Sequence, residues 1–255
     1  METSVETRRD QIIRILKERG HARVSTLSRR LGVSEVAIRK DLACLEALGL
    51  LQRYHGGARR MGQGYLYEDL DERMNTRGEQ KRRIARKARS LVRERQVVML
   101  NSGSTNHYIA RGLSDLDELV IVTNAIRVAS ELSRAPSVHP ILLGGEVKER
   151  YQFTHGADAL RQLRKYHADI CFIAVDGIAS DSGVTSYYHY EAEIIRQMMA
   201  QSEMTVVAAD ATKVGRASLE SVGDIRSIDV LLTDASFPNE ELDKIQAAGV
   251  QVLVA

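Results

Sequence analysis

The chain has 255 residues, 44% of them apolar and 27% charged, the balance of an ordinary globular protein. No apolar run approaches the roughly 18 residues of a membrane span, and the polar start METSVETRRD reads as no secretory signal, so a cytoplasmic protein is expected. Cys44 and Cys171 stand far apart inside apolar patterns and read as reduced thiols, not a disulfide or metal site. The net charge of +2 is unevenly spread: residues 1–60 hold 13 Lys and Arg against 7 Asp and Glu, the remainder 23 against 27. A basic front on a mildly acidic body suits a polyanionic partner for the front alone.

Ile12, Ile13 and Leu16 recur at helical spacing within Arg8 to Arg19, and Gly20 stops that helix. Ser25 is expected to cap a second helix with Leu27 and Leu31 inward. Gly32-Val33 makes a sharp turn, and Ser34 caps a third helix whose Ile38, Leu42 and Leu45 form the buried stripe. On that helix Val36, Arg39, Lys40 and Ala43 point outward. An outward cationic face is what docking in a DNA groove requires, since phosphates flank the groove and guanine presents acceptors inside it. Leu50 to Gly57 alternates like a strand and ends in Gly56-Gly57, and Arg53, His55, Arg59 and Arg60 would lie near a DNA backbone. The order helix, turn, cationic helix, basic hairpin is that of a winged helix-turn-helix over residues 1–60. The DNA-binding residues expected are Ser25, Ser34, Glu35, Val36, Ala37, Arg39, Lys40, Arg53, His55, Gly56 and Gly57.

Met61 to Gly78 lacks a period and reads as a linker with about one helical turn. Residues 79–255 form the second domain. Ile84, Ala88 and Leu91 mark a helix. Apolar runs follow at Val97–Leu100, Leu119–Val122, Ile141–Leu143, Ile170–Val175, Val206–Ala209, Val230–Leu232 and Val252–Val254. Uniformly apolar strands alternating with helices predict an α/β domain with a mainly parallel sheet covered on both faces. Ligands of such sheets bind beyond the carboxyl ends of the strands.

Polar and Gly-rich segments stand at those ends: Asn101-Ser102-Gly103-Ser104-Thr105, Thr123-Asn124, Gly144-Gly145-Glu146, Asp176-Gly177 and Asp210-Ala211-Thr212-Lys213. The first, opening a helix, is a candidate anion site. Lys213 could neutralise a phosphate, and Glu146 and Asp176 could accept sugar hydroxyls. Arg150 could touch phosphate or be a solvated cation. Thr185 to Glu191, with Tyr187, Tyr188 and Tyr190, could wall a sugar pocket, with Tyr188 and Glu191 as contacts, or pack its rings on the body or another subunit. No cofactor and no metal are expected, because no histidine has ligand spacing.

Gly32-Val33-Ser34, Ile38-Arg39-Lys40-Asp41-Leu42, Leu45-Glu46, Gly49 and Arg53-Tyr54-His55-Gly56-Gly57-Ala58 resemble the signature of the DeoR family of bacterial transcription regulators. The family pattern is V-S-x-x-T-I-R-R-D-L, L-E-x-x-G and R-x-H-G-G-A. Ala37 stands where Thr is usual and Lys40 where Arg is usual; Lys40 keeps the charge but not the bidentate fork. The segments S-G-S-T, V-T-N, L-G-G, D-G-I, D-x-T-K and Leu232-Thr233-Asp234 are similar to the family's effector domain. The resemblance implies an effector domain related in fold to ribose-5-phosphate isomerase A and glucosamine-6-phosphate deaminase. It also implies a phosphorylated sugar as ligand, cradled at Ser102 to Thr105 with Lys213 assisting. The expected function is a repressor of a carbohydrate-metabolism operon, not an enzyme. Its expected partners are double-stranded operator DNA, a sugar-phosphate effector and one or more further copies in a homodimer or homotetramer. The alternatives are a sugar-phosphate isomerase or deaminase with an appended DNA-binding domain, and a DNA-architectural protein with an inert body.

Overall fold

The computed structural model describes residues 5–48, 50–60 and 70–255. Two compact units divide the chain, Met1–Arg73 and Met74–Ala255. Within the linker expected over 61–78, residues 61–69 lie outside the described residues, as do Gly49 and the side chain of Arg60.

In the first unit α1 (Val5–Arg19) ends at Gly20 and leads through β1 (His21–Arg23) into α2 (Val24–Leu31). Gly32 takes the left-handed conformation, φ 67°, and turns the chain into α3 (Glu35–Ala47). Ile12, Ile13, Leu16, Leu27, Ile38, Leu42 and Leu45 make the core, as their spacing predicts. β2 (Leu51–Tyr54) and β3 (Gly57–Arg60) form the wing, and β1 completes a three-stranded antiparallel sheet in the order β1-β3-β2. Two expectations need correction. Ser25 does not cap α2: Arg23 is the capping position, Ser25 lies exposed inside the helix, and the Val24 N–H is satisfied by the Gly56 carbonyl at 2.9 Å. Leu31 is half-buried and lies outside the core. Cys44 is also half-buried.

A short helix, α4 (Leu70–Asn75), stands where the first unit gives way to the second. α5 (Gly78–Arg89) then buries Ile84 and Ala88, and Leu91 falls beyond its end. The second unit continues with β4 (Val97–Leu100), α6 (Ser104–Leu113), β5 (Leu119–Thr123), α7 (Ile126–Leu132) and β6 (Val138–Leu142). A hairpin of β7 (Glu146–Lys148) and β8 (Phe153–His155) follows, and then α8 (Ala157–Leu163) and β9 (Ala168–Ile173). β10 (Gly177–Ala179), β11 (Gly183–Ser186), α9 (His189–Ala200), β12 (Ser202–Ala209), β13 (Glu220–Gly223), β14 (Val230–Thr233), α10 (Glu240–Ala247) and β15 (Gln251–Val254) complete it.

Seven strands form one parallel sheet in the order β15-β14-β12-β9-β4-β5-β6. These are the seven expected apolar runs, with two displaced: β6 lies upstream of Ile141–Leu143, and β9 ends at Ile173. Two apolar clusters, one around Met99, Cys171, Ile195 and Leu231, the other around Ile84, Leu100, Ile109 and Phe172, fill the layers on the sheet. The buried thiol of Cys171 has its pKa raised, first by burial. From β4 the chain winds outward to β5 and β6; β9, β12, β14 and β15 wind the other way. The carboxyl ends of β4 and β9 therefore flank the switch point, where crossovers diverge and leave a crevice. A small antiparallel sheet, β10-β11-β13, which the sequence did not suggest, stands beyond the end of β9.

Candidate functional site

In the first unit Ser34 caps α3, its hydroxyl accepting from the Ala37 N–H at 3.2 Å. Val36 is 61% exposed, and Glu35 at the helix start pairs with Arg39 at 2.5 Å, both side chains open to solvent. Arg39 and Lys40 are exposed and Ala43 is half-buried. One turn of helix thus presents an apolar tip and two cations, the contacts a major groove accepts: thymine methyl, guanine acceptors and phosphate. Asp41, within the same motif, points the other way. It is 1% exposed and accepts from Arg8 Nε at 2.6 Å and Arg9 Nε at 3.1 Å.

The wing is tied to α3 by Glu46. Its carboxylate accepts the backbone N–H of Arg53 at 2.7 Å and the Arg53 guanidinium at 2.5 Å, contacts that lower its pKa, the backbone bond most. Gly56 turns at φ 81°, and a Cβ on Gly57 would lie 2.5 Å from the Tyr54 hydroxyl and 2.6 Å from the Ala22 carbonyl. Both positions need glycine, the first for its dihedral and the second for room. His55 at the tip is exposed, and His21, Gln52, Arg53, Tyr54 and Arg59 line an open groove along the wing sheet.

In the second unit the crevice at the switch point is built on Asn101. Its amide donates to the Ala174 carbonyl at 2.9 Å and accepts the Ala174 N–H at 2.8 Å, joining the ends of β4 and β9. Asn106 supports it, donating to the Asn101 side-chain oxygen at 2.7 Å and to the Phe172 carbonyl at 2.9 Å. Gly103 is the N-cap of α6 with φ 137°, and a Cβ there would stand 2.7 Å from the Ala174 Cβ. The chain thus passes tightly over β9 before opening a helix whose first-turn N–H groups face outward from the ladder. Ser104 is 2% exposed, and its hydroxyl has no hydrogen-bond partner among the described residues; Thr105 is also buried.

Ser102 donates to Glu191 Oε1 at 2.9 Å, and Ser186 donates to Glu191 Oε2 at 2.9 Å. Asp176 accepts the Tyr187 N–H at 2.9 Å, so it holds the same segment. Thr123 donates to the Leu100 carbonyl at 2.7 Å and accepts from Ala125. Asn124 donates to the Thr154 carbonyl at 2.9 Å, while its Oδ1 is buried without a partner among the described residues. Gly177 is buried, and a Cβ on it would run into the Arg216 carbonyl. Lys213 is 3% exposed, with its backbone tied to Asp210 and Ile178. Asp210 is spent locally: its Oδ1 accepts from both the N–H and the hydroxyl of Thr212.

Other expected residues stand apart. The chain turns after β6, so Gly145 and Glu146 are exposed and Glu146 pairs with His155 in the β7–β8 hairpin. Gly144 donates its N–H to Gln162 at 3.0 Å. Arg150 lies 5.5 Å from the centre of the Tyr151 ring. Tyr187 and Tyr188 are buried, their rings 4.9 Å apart; Tyr188 stacks on Tyr190 at 5.1 Å, and Tyr190 on His155 at 4.3 Å. This segment packs its rings on the body. Lys148, 5.0 Å from the Tyr188 ring centre, and Asn106 and Ser186 were not expected; nothing in their sequence neighbourhood marks them. No group of three His, Cys, Asp or Glu side chains among the described residues could hold a metal ion. None of their helices is long and apolar enough to cross a membrane.

Residues 8–63 match the DeoR-like helix-turn-helix domain and residues 76–235 the DeoR C terminal sensor domain. The chain is 33% identical to a putative aga operon transcriptional repressor of Escherichia coli O157:H7, over 99% of this chain and 94% of that one. It is 32% identical to the HTH-type transcriptional regulator GolR of Listeria innocua, over 97% and 98%. Ribose 5-phosphate isomerase A from Neisseria gonorrhoeae is similar over 54% of each chain at 17% identity and a TM-score of 0.41, too distant for argument. A cationic third helix, a glycine-tipped wing and two matched domain models in sequence therefore place this chain in the DeoR family of DNA-binding transcriptional regulators.

Proposed function

We propose that this chain represses a carbohydrate-metabolism operon and that a phosphorylated sugar bound to its second unit sets its affinity for operator DNA. Residues 1–60 read the DNA, 61–78 link, and 79–255 hold the effector. Ser34, Glu35, Val36, Ala37, Arg39 and Lys40 approach the groove; Arg53, His55, Gly56 and Gly57 approach the backbone. The effector's phosphate sits at Ser102 to Thr105, with Lys213 as counter-charge and Asp176, Asn124 and Glu191 toward hydroxyls. The observation that carries the reading is the buried Ser104 hydroxyl, unpartnered among the described residues, at the head of α6 beside the switch-point crevice.

The protein acts by binding and not by catalysis. Asp210, the carboxylate nearest Lys213 in sequence, is closed into its own turn with Thr212, which leaves a poor general base. Two or four copies hold their α3 helices at half-site spacing, and the effector favours the arrangement with the wrong spacing. A coupling of about 1–3 kcal/mol is the ordinary range for such a device. Titrating operator DNA with and without a panel of sugar phosphates tests this; a full panel that leaves affinity unchanged defeats the effector reading. Turnover of ribose-5-phosphate or glucosamine-6-phosphate that Lys213→Ala abolishes would replace it with the enzyme.

A further inference from the structure

Glu191 occupies a position that the effector reading does not explain. It lies in the first turn of α9, and its two oxygens take the hydroxyls of Ser102 and Ser186, each at 2.9 Å. Ser102 belongs to the turn that opens α6, so a carboxylate of the protein already engages a donor that a phosphate there would use. A second carboxylate, Asp176, is held beside it through the Tyr187 N–H. One side of the crevice thus offers N–H and hydroxyl donors, the other offers acceptors only.

We propose that Glu191 is the specificity-determining residue of this site. It stands as an internal anion against the cradle, and it admits only ligands that bring hydroxyl donors together with their phosphate. The inference rests on the proposed effector site and deepens it. A bare phosphate dianion meets a fixed like charge and has nothing to donate to it, so it binds poorly. A phosphate ester of a polyol still meets the charge, but its hydroxyls donate to Glu191 in place of Ser102 and Ser186, and those serine hydroxyls turn to the phosphate. Ligand class is therefore set by the pairing of one dianionic group with vicinal hydroxyls. Simple phosphate, sulfate and phosphate esters without hydroxyls are rejected by the carboxylate.

The test is calorimetric titration of the full chain with inorganic phosphate and with a series of polyol and hydroxyl-free phosphate esters. Parent, Glu191→Gln and Glu191→Ala are compared, with apo melting curves as the check of folding. Removing the charge should raise affinity for inorganic phosphate about tenfold and collapse the preference for polyol esters over hydroxyl-free ones. Both variants should behave alike toward inorganic phosphate, so either one suffices if the other fails to fold. Unchanged or weakened phosphate binding in a folded variant overturns the role of Glu191. If the parent binds no phosphate ester at all, the effector site itself is refuted, a result distinct from the first.

Discussion

Arg8 donates from Nε to the Asp41 carboxylate at 2.6 Å, and that bond fastens α1 to α3, the helix carrying Arg39 and Lys40. The two cations outside and the anion inside stand within three consecutive residues, so their roles separate by which face of the helix they occupy. Asp41 is almost wholly buried, whereas the two arginines that pair with it keep part of their side chains in water. Removing the carboxylate leaves two guanidiniums without their acceptor, and breaking a buried pair from one side costs about 3–5 kcal/mol. Asp41→Asn should therefore lower the stability of the DNA-reading unit by about 3 kcal/mol and weaken operator binding through misplacement of α3. Chemical denaturation followed by a probe in residues 1–60 checks this; a midpoint equal to the parent's defeats it.

Arg39 should behave in the opposite way. Its partner Glu35 is exposed, and exposed pairs contribute little. Arg39→Ala should leave the melting temperature within experimental scatter and reduce operator affinity by about 1–3 kcal/mol. Fluorescence anisotropy on operator and on scrambled duplex separates the two: a base contact is lost only on operator, a phosphate contact on both. No change on either duplex would remove Arg39 from the interface.

Gly103 is constrained twice, by a φ of 137° and by the Ala174 Cβ 2.7 Å from where its own would be. Gly103→Ala should cost about 1–3 kcal/mol of stability in the second unit and abolish phosphate-ester binding, because the head of α6 must move. Thermal melting with and without ligand reads both effects. A variant that still responds to ligand as the parent does would show that the tight passage is not needed for the cradle.

His107 makes the second unit sensitive to acid. Burial is the largest influence on its imidazole and pushes the pKa below the ordinary 6.5; Glu131 opposes, and Arg127 and Arg111 add to the lowering. The unfolded chain takes up a proton near pH 6.5 that the folded chain refuses. Stability is therefore complete above that pH and falls as pH drops from 6.5 toward the lower folded value. His107→Gln should flatten this part of the stability–pH curve. Equal slopes for variant and parent between pH 6.5 and 5 would assign the acid sensitivity elsewhere.

Much of this was legible from local pattern. Ile38, Leu42 and Leu45 repeat at one helical face, and the Ser34 cap is a neighbour-to-neighbour interaction, so both read directly from the chain. The strands of the parallel sheet are apolar on both faces and show as runs. Other features rest on partners far away in sequence. Ser25 looks like a cap because serine often is one, but the Gly56 carbonyl already satisfies the start of α2, so the cap is not required. β1 and the β10-β11-β13 sheet are three or four residues each and too short for a period. Glu146 follows a strand in sequence, yet a hairpin carries it into solvent. The bonds from Arg8 and Arg9 to Asp41 and from Ser102 to Glu191 span 33, 32 and 89 residues, where no local rule reaches.

Asn101 gives the seam between β4 and β9 an unusual intolerance of isosteres. Its side chain must show a nitrogen to the Ala174 carbonyl and an oxygen to the Ala174 N–H at once. Aspartate has the same shape but would set oxygen against oxygen on one of those lines; leucine has the same bulk but would silence both. The two halves of the sheet, which wind in opposite directions, are thus locked together by a chemical handedness within one planar group. A mutational scan should find position 101 among the least substitutable of the second unit, for a reason that neither size nor polarity alone would disclose.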